Sequence, residues 1–216
     1  MLEGDIIPML SRRFGLQETG KTLTLLVAAR PESELAEQVE AALAEVPGIG
    51  VAYRAMMGQI EVRLSSRDEG ADFAAAEKRV REALGPWVVA EGLETLEGNL
   101  GEELRSRGLT LAVAESLTGG MVGETITAMP GSSDYFRGGI VAYDLEAKEN
   151  MLGVDRGLLR SRGAVNEEVA KAMAGGVRGR FSSDLGIALT GVAGPDRGGE
   201  DESPGTVAFG LADKTG

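Results

Sequence analysis

The chain has 216 residues, 43% of them hydrophobic and 26% charged, a globular composition with room for one large or two small domains and not that of a fibrous or disordered protein. It contains neither cysteine nor histidine, which excludes Cys/His zinc sites, thiol nucleophiles, disulfides and Ser-His-Asp triads. Its net charge of −12, from 34 acidic and 22 basic residues, opposes the counterion release that drives nucleic-acid binding.

Three expectations follow. The nucleophilic scheme still open is a Ser or Thr hydroxyl activated by Lys, Tyr or a carboxylate. A phosphate-bearing small molecule remains a possible ligand, because a helix N-terminus or a few arginines can hold an anion whatever the global charge. No apolar run approaches the roughly 18 to 20 residues of a membrane span. Met1 to Leu10, with Glu3, Asp5 and Pro8, lacks the basic start and apolar block of a signal peptide, so a cytoplasmic address is expected.

Residues 1–21 read as a linker or the remnant of an upstream domain. Thr22 to Arg30 is rich in strand formers with partial alternation, and predicts a strand. Glu32 to Val46 changes to helical spacing, with Leu35, Val39, Ala42 and Leu43 on one stripe. Two strands around Gly58 follow, Val51 to Met57 and Ile60 to Ser65, then a helix from Ala71 to Leu84 and a closing strand from Trp87 to Ala90. The order β-α-β-β-α-β over residues 22–92 is the ferredoxin-like split βαβ pattern. That architecture also hosts RNA-binding modules, but residues 22–92 contain no RNP-type aromatic pair and no GXXG clamp, which favours a spacer or dimerisation role.

A helix over Leu93 to Arg107 carries Leu93, Leu96, Leu100 and Leu104 on one stripe and ends at Gly108. The second domain, 93–216, continues with strands at Leu109 to Ala114, Phe136 to Tyr143, Leu185 to Thr190 and Thr206 to Ala212. Helices are predicted at Gly119 to Met129, Glu146 to Leu152 and Glu167 to Arg180. Strands alternating with helices predict a three-layer α/β/α domain with a mixed or mainly parallel sheet, whose ligands bind beyond the carboxyl ends of the strands.

Three segments place reactive groups there. The first, Ala114-Glu115-Ser116-Leu117-Thr118-Gly119-Gly120, sets Ser116 at a helix N-terminus whose N–H groups suit an anion, with Gly119 and Gly120 allowing close backbone approach. An N-cap serine in a tight turn is the structural alternative. The second holds Tyr143 at a strand end and Lys148 five residues on. The chain has only five lysines against seventeen arginines, and Lys can lose its proton on burial whereas Arg cannot, so Lys148 can serve as a base for Ser116. A solvated surface lysine is the alternative. The third, Thr190-Gly191-Val192-Ala193-Gly194-Pro195 and on through Asp196 to Gly199, is a glycine-rich loop that lacks the Lys-Ser/Thr ending of a P-loop.

Together these segments resemble the C-terminal domain of the competence/damage-inducible protein CinA family, whose members include nicotinamide-nucleotide amidohydrolases. The resemblance runs from about Leu93 to the end of the chain. It is carried by Ala-Glu-Ser-x-Thr-Gly-Gly at 114–120, Pro-Gly-Ser-Ser-x-Tyr-Phe at 130–136, Gly-Gly-Ile-Val-Ala-Tyr at 138–143, Lys148, Leu152-Gly153-Val154, Gly163-Ala164-Val165 and Thr190-Gly191-x-Ala193-Gly194-Pro195. Residues 22–92 are similar to that family's small KH-like middle domain. The resemblance implies metal-independent, cofactor-free hydrolysis of the carboxamide of nicotinamide mononucleotide. It implies Ser116 as nucleophile, Lys148 as base and Tyr143 as its partner, with Glu115, Thr118, Gly119, Gly120, Thr190, Gly191 and Gly194 as substrate-binding positions.

The expected partners are a small-molecule nucleotide and a second copy in a homodimer, with neither nucleic acid nor membrane. The chain departs from the family pattern at Leu117, where a cysteine is usual, and at Asp144-Leu145, where a Ser/Asn-containing pair is usual. The closing Gly-Asp-Arg segment and the N-terminal molybdopterin-binding-like domain are not found in these 216 residues. The competing reading is a non-catalytic, dimerising nucleotide-binding module. A short-chain reductase, suggested by Thr118-Gly119-x-x-x-Gly123, fails because that chemistry needs Tyr and Lys four apart and Tyr143 and Lys148 are five apart.

Overall fold

In a computed structural model, residues 20–28, 30–56, 58–92, 94–195 and 202–215 are described, together with Met9 and Arg13. The rest of the N-terminal tail, Leu93, Met57 and the part of the glycine loop at 196–201 lie outside the described residues. Two units divide the chain at Leu96/Glu97, and each has its own core.

In the first unit, strand β1 (Lys21–Ala28) leads into helix α1 (Glu32–Leu43), strands β2 (Gly50–Met56) and β3 (Gln59–Ser66), helix α2 (Phe73–Leu84) and strand β4 (Val88–Glu91). The sheet order is β2-β3-β1-β4 with every neighbour antiparallel, the ferredoxin-like arrangement that the sequence predicts. Period-two alternation sends Leu23, Leu25 and Val27 of β1 and Ile60, Val62 and Leu64 of β3 to one face. There they meet Leu35 and Val39 of α1 and Phe73, Val80 and Leu84 of α2. Asp72 starts α2 by accepting a hydrogen bond from Ala75 N–H at 3.0 Å.

The second unit runs α3 (Leu96–Arg107), β5 (Leu111–Glu115), α4 (Met121–Thr127), β6 (Phe136–Val141), α5 (Leu145–Leu152), α6 (Arg156–Arg162), α7 (Glu167–Phe181), β7 (Leu185–Gly191) and β8 (Val207–Ala212). Its sheet is ordered β6-β5-β7-β8, with β5 parallel to both neighbours and β8 antiparallel to β7. The central strand alternates by size. Ala112 and Ala114 face α7, while Leu111 and Val113 face Leu104 of α3, Ile126 of α4 and Tyr135. Helices therefore cover both faces, the three-layer form expected of a mainly parallel sheet.

The small side chains let α7 lie against backbone. A Cβ on Gly176 would collide with the Leu152 carbonyl at the end of α5. One on Gly186 of β7 would meet Ala174 O of α7, and one on Gly210 of β8 would meet Ala170 O.

Two elements differ from expectation. The leucine stripe of α3 is incomplete: Leu104 is buried, Leu100 is exposed, and the packed position beside Leu104 is Gly101, which makes room for the Tyr135 ring. Helix α6 is additional to the predicted set. Asp155 caps it through Leu158 N–H at 2.8 Å, and Gly157 in its first turn hides it from a propensity reading.

A polar clasp ties the beginnings of β5 and β7 together. Thr110 N–H and its hydroxyl donate to Asp184 Oδ2 at 2.9 and 2.7 Å, and Asp184 N–H donates back to Thr110 Oγ1 at 2.9 Å. The Thr110 hydroxyl and amide hold the Asp184 carboxyl below its ordinary range. A depressed folded value stabilises the fold above the unfolded carboxyl value, and that stabilisation disappears as pH falls through the folded value. The urea midpoint of the wild type is therefore expected to exceed that of Asp184→Asn by a constant margin at neutral pH. The margin should shrink only below about pH 4; one that widened on acidification would contradict the clasp.

Candidate active site

Ser116 is the first residue beyond the carboxyl end of the central strand β5. Its position is set by the sheet: Ser116 N–H donates to Leu189 O of β7 at 3.0 Å, and Ala142 N–H, beyond β6, donates to Glu115 O at 2.7 Å. The serine is thus gripped from both flanking strands and is itself 6% exposed.

Lys148 rises from α5 into the same spot. Asp144, the first residue of the pair that departs from the family pattern, starts that helix as its N-cap by accepting from Ala147 N–H at 2.6 Å. One turn later the Lys148 side chain points inward and is 2% exposed. Its Nζ lies 2.8 Å from Ser116 Oγ, 3.0 Å from Ala142 O and 3.3 Å from Tyr143 O. These three acceptors, all among the described residues, can take the three protons of an ammonium. With a neutral amine, two carbonyls take the two protons and the lone pair is left facing the serine hydroxyl. The pocket can therefore hold the nitrogen on either side of a proton transfer.

Tyr143 contributes differently from the sequence expectation. Its side chain is 73% exposed, and what reaches Lys148 is its backbone carbonyl. The strand runs out at Val141, so the carbonyls of residues 142 and 143 are released from the ladder and can turn to the amine.

The helix N-terminus behind Ser116 is not an open anion site either. Glu115, 1% exposed, accepts Gly120 N–H and Val122 N–H on Oε2, both at 3.0 Å, and Gly123 N–H on Oε1 at 2.8 Å. The N–H groups that an external anion would need are filled by the chain's own carboxylate. Glu115 is therefore a positioning residue whose oxygens face α4. A capping carboxylate was legible in principle, since acids are favoured at helix starts, but it stands before the turn instead of in it.

Thr190 is also turned inward, its hydroxyl donating to Ala164 O at 2.9 Å. Gly191 lies against Leu117 and the Thr206 carbonyl, where a Cβ would not fit, so Leu117 is a packing residue. Gly119 has open space where a Cβ would project, and Gly119 and Gly120 both adopt positive φ, 62° and 107°. Gly194, at φ 87°, precedes Pro195 through a cis peptide bond at the start of the loop. Two kinds of donor near Ser116 remain unused by the described residues: the N–H groups of Leu117 and Thr118, and the buried Thr118 hydroxyl. Among the described residues no three His, Cys, Asp or Glu side chains gather as a metal site, and no helix is long and apolar enough to cross a membrane.

Glu115→Ala is expected to destabilise the second unit by about 1–3 kcal/mol, because it strands part-buried donors that a buried acceptor had satisfied. Glu115→Gln keeps one acceptor oxygen and should fall between. Amide hydrogen exchange at Gly120, Val122 and Gly123 reads this directly, with rates ordered wild type, Gln, Ala from slow to fast; equal rates in all three would refute the cap.

Known proteins supply the comparison. The family model described as the CinA C-terminal domain matches residues 93–216. A CinA-like protein of Geobacter metallireducens is 42% identical over 221 residues, covering 100% of this chain and 54% of that protein. One from Salinibacter ruber is 39% identical, with 99% and 53% covered. The chain thus spans about half the length of the curated relatives it matches. Among solved structures, the Escherichia coli competence-damaged protein (CinA) superfamily protein is 32% identical at a TM-score of 0.54, covering 59% of this chain and 77% of that one. The competence/damage inducible protein CihA of Agrobacterium tumefaciens is 33% identical at a TM-score of 0.53, with 56% and 73% covered. The residue pattern around Ser116 and Lys148, the three-layer sheet that presents it and the match over 93–216 agree, and the chain belongs to the CinA family.

Proposed function

We propose that this chain hydrolyses the carboxamide of nicotinamide mononucleotide to nicotinic acid mononucleotide and ammonia, with Ser116 as nucleophile and Lys148 as its base. The observation that carries the reading is the 2.8 Å contact between Lys148 Nζ and Ser116 Oγ, both buried, in a chain with no histidine or cysteine to do the work. The substrate follows from the resemblance of residues 93–216 to a family that includes nicotinamide-nucleotide amidohydrolases.

A serine hydroxyl is a weak nucleophile near neutral pH until a base takes its proton. The neutral amine of Lys148 accepts that proton as Oγ attacks the carboxamide carbon. The resulting ammonium is held by the Ala142 and Tyr143 carbonyls. The oxygen of the tetrahedral intermediate needs donors, and the N–H groups of Leu117 and Thr118 have no acceptor among the described residues. Lys148 then returns the proton to the leaving nitrogen, ammonia departs, and an acyl ester remains on Ser116. Water, deprotonated by the same amine, cleaves the ester to the carboxylic acid and restores the hydroxyl. No step in this sequence calls on a metal.

Ser116→Ala and Lys148→Met are each expected to lower ammonia release from nicotinamide mononucleotide by at least about a thousandfold while substrate still binds. The double variant should be no worse than either single one, because the two residues serve one step. Tyr143→Phe should stay within about threefold of wild type, since the group that meets Lys148 belongs to the backbone. Near-wild-type turnover in Ser116→Ala would eliminate the covalent route.

A base that must be neutral makes kcat fall as pH falls, and a chelator should leave the rate unchanged. A pH–rate profile with and without EDTA tests both. Activity lost to EDTA and restored by a divalent cation would overturn the mechanism.

A further inference from the structure

The first unit carries a feature that the chemistry of Ser116 does not use. Where β1 begins and β3 ends, a cavity of about 630 Å³ is lined by Lys21, Arg63, Arg67, Thr22 and Ser65 beside Gly20. The antiparallel register pairs Thr22 with Ser65, which brings two hydroxyls side by side, and Arg63 lies two residues from Ser65 on the same sheet face. Behind them Ser66 is buried and its hydroxyl donates to Gly48 O at 2.7 Å, so the floor of the cavity is fixed. Gly20 lies against the Ser66 carbonyl where a Cβ would not fit, so the start of β1 can approach the end of β3 closely.

The charge balance is what singles this cavity out. The chain carries a net charge of −12, yet among the described residues no carboxylate lines the site. Among the described residues neither Lys21 nor Arg67 has an acidic partner within 4.0 Å. Arg63 shares Glu61 with Arg54, so one carboxylate answers two guanidiniums and the group stays positive. The nearest acid in sequence, Asp68, is turned away and accepts Gly70 N–H at 2.8 Å. The described lining has no aromatic ring, so those residues offer cations and hydroxyls to an anion and no surface for a base to stack on. The volume exceeds what a single phosphate fills and lies within the usual range for small-molecule sites.

We infer that this cavity binds a small molecule through a diphosphate group. Lys21 and Arg67 supply the unpaired charges, Arg63 a guanidinium fork, and Thr22 and Ser65 the hydroxyl donors. The site belongs wholly to the first unit and stands or falls independently of the Ser116 reaction.

The whole chain titrated with inorganic pyrophosphate, without metal, tests the inference by calorimetry and by amide shifts in NMR. Saturable one-to-one binding is expected, with shifts at residues 20–22 and 63–67. The exposed double variant Lys21→Met/Arg67→Ala should bind at least about tenfold more weakly, as should the wild type when salt is raised from about 0.05 to 0.2 M. ADP, which carries the same diphosphate on a nucleoside, should match pyrophosphate within about threefold. No saturation by about 10 mM, shifts confined to residues 97–215, or undiminished binding in a folded double variant would overturn the site. Single-stranded RNA binding more tightly than pyrophosphate at the same amides would overturn the ligand class, as would ADP binding more than about tenfold tighter.

Discussion

Burying one amine organises much of the second unit. A lysine nitrogen withdrawn from water must recover its hydrogen bonds inside the protein, or the fold bears an unmet polar group of several kcal/mol. The unit meets that demand with backbone, ending β6 at Val141 so that the next two carbonyls are free of the ladder and turn to Nζ. The third acceptor is Ser116 Oγ. The same requirement that makes Lys148 tolerable in the interior therefore fixes where the serine hydroxyl must be. The parallel pairing of β5 with β6 and β7 then places that hydroxyl at the carboxyl end of the sheet, the end at which open α/β sheets bind their ligands.

Adjacent residues divide the labour. Glu115 and Ser116 are consecutive but face different tasks: the carboxylate closes the start of α4 from within, and the hydroxyl meets Lys148. Satisfying three helix-start N–H groups with a buried charge freezes the turn through Gly119 and Gly120, whose positive φ values a bulkier residue would resist. The turn is consequently set before any ligand arrives, and preorganisation of this kind lowers the cost of reaching a reactive geometry.

Much of this was legible in the residues themselves. Alternation over Lys21–Ala28 and Gln59–Ser66, helical spacing over Glu32–Leu43 and the glycine after Arg107 describe real elements, because one-sided burial leaves its period in the sequence. The pairing of Ser116 with Lys148 was legible through composition, since without histidine few bases remained. What stayed hidden is whatever the main chain does. Tyr143 reads as an aromatic partner for lysine, but its carbonyl is the partner, and no residue letter encodes a carbonyl's direction. The resemblance makes Glu115 and Thr190 ligand-binding positions; in the fold Glu115 accepts three N–H groups at the start of α4 and the Thr190 hydroxyl donates to Ala164 O. Leu100 completes a stripe on paper, yet Gly101 holds the packed position because the Tyr135 ring needs the room of a missing side chain.

Helix α7 rests directly on main chain at Gly176, Gly186 and Gly210, with no layer of side chains to absorb a change. The first of these supports the end of the helix that carries Lys148, and the second lies in the strand whose Leu189 carbonyl holds Ser116. The spacing between Lys148 Nζ and Ser116 Oγ is thereby gauged by contacts between backbones elsewhere in the unit. Under the proposed reaction, a genetic screen for inactive alleles would recover methyl-sized lesions at these glycines beside lesions at the serine and the lysine. Inheritance would mark as essential three positions that contribute no functional group at all.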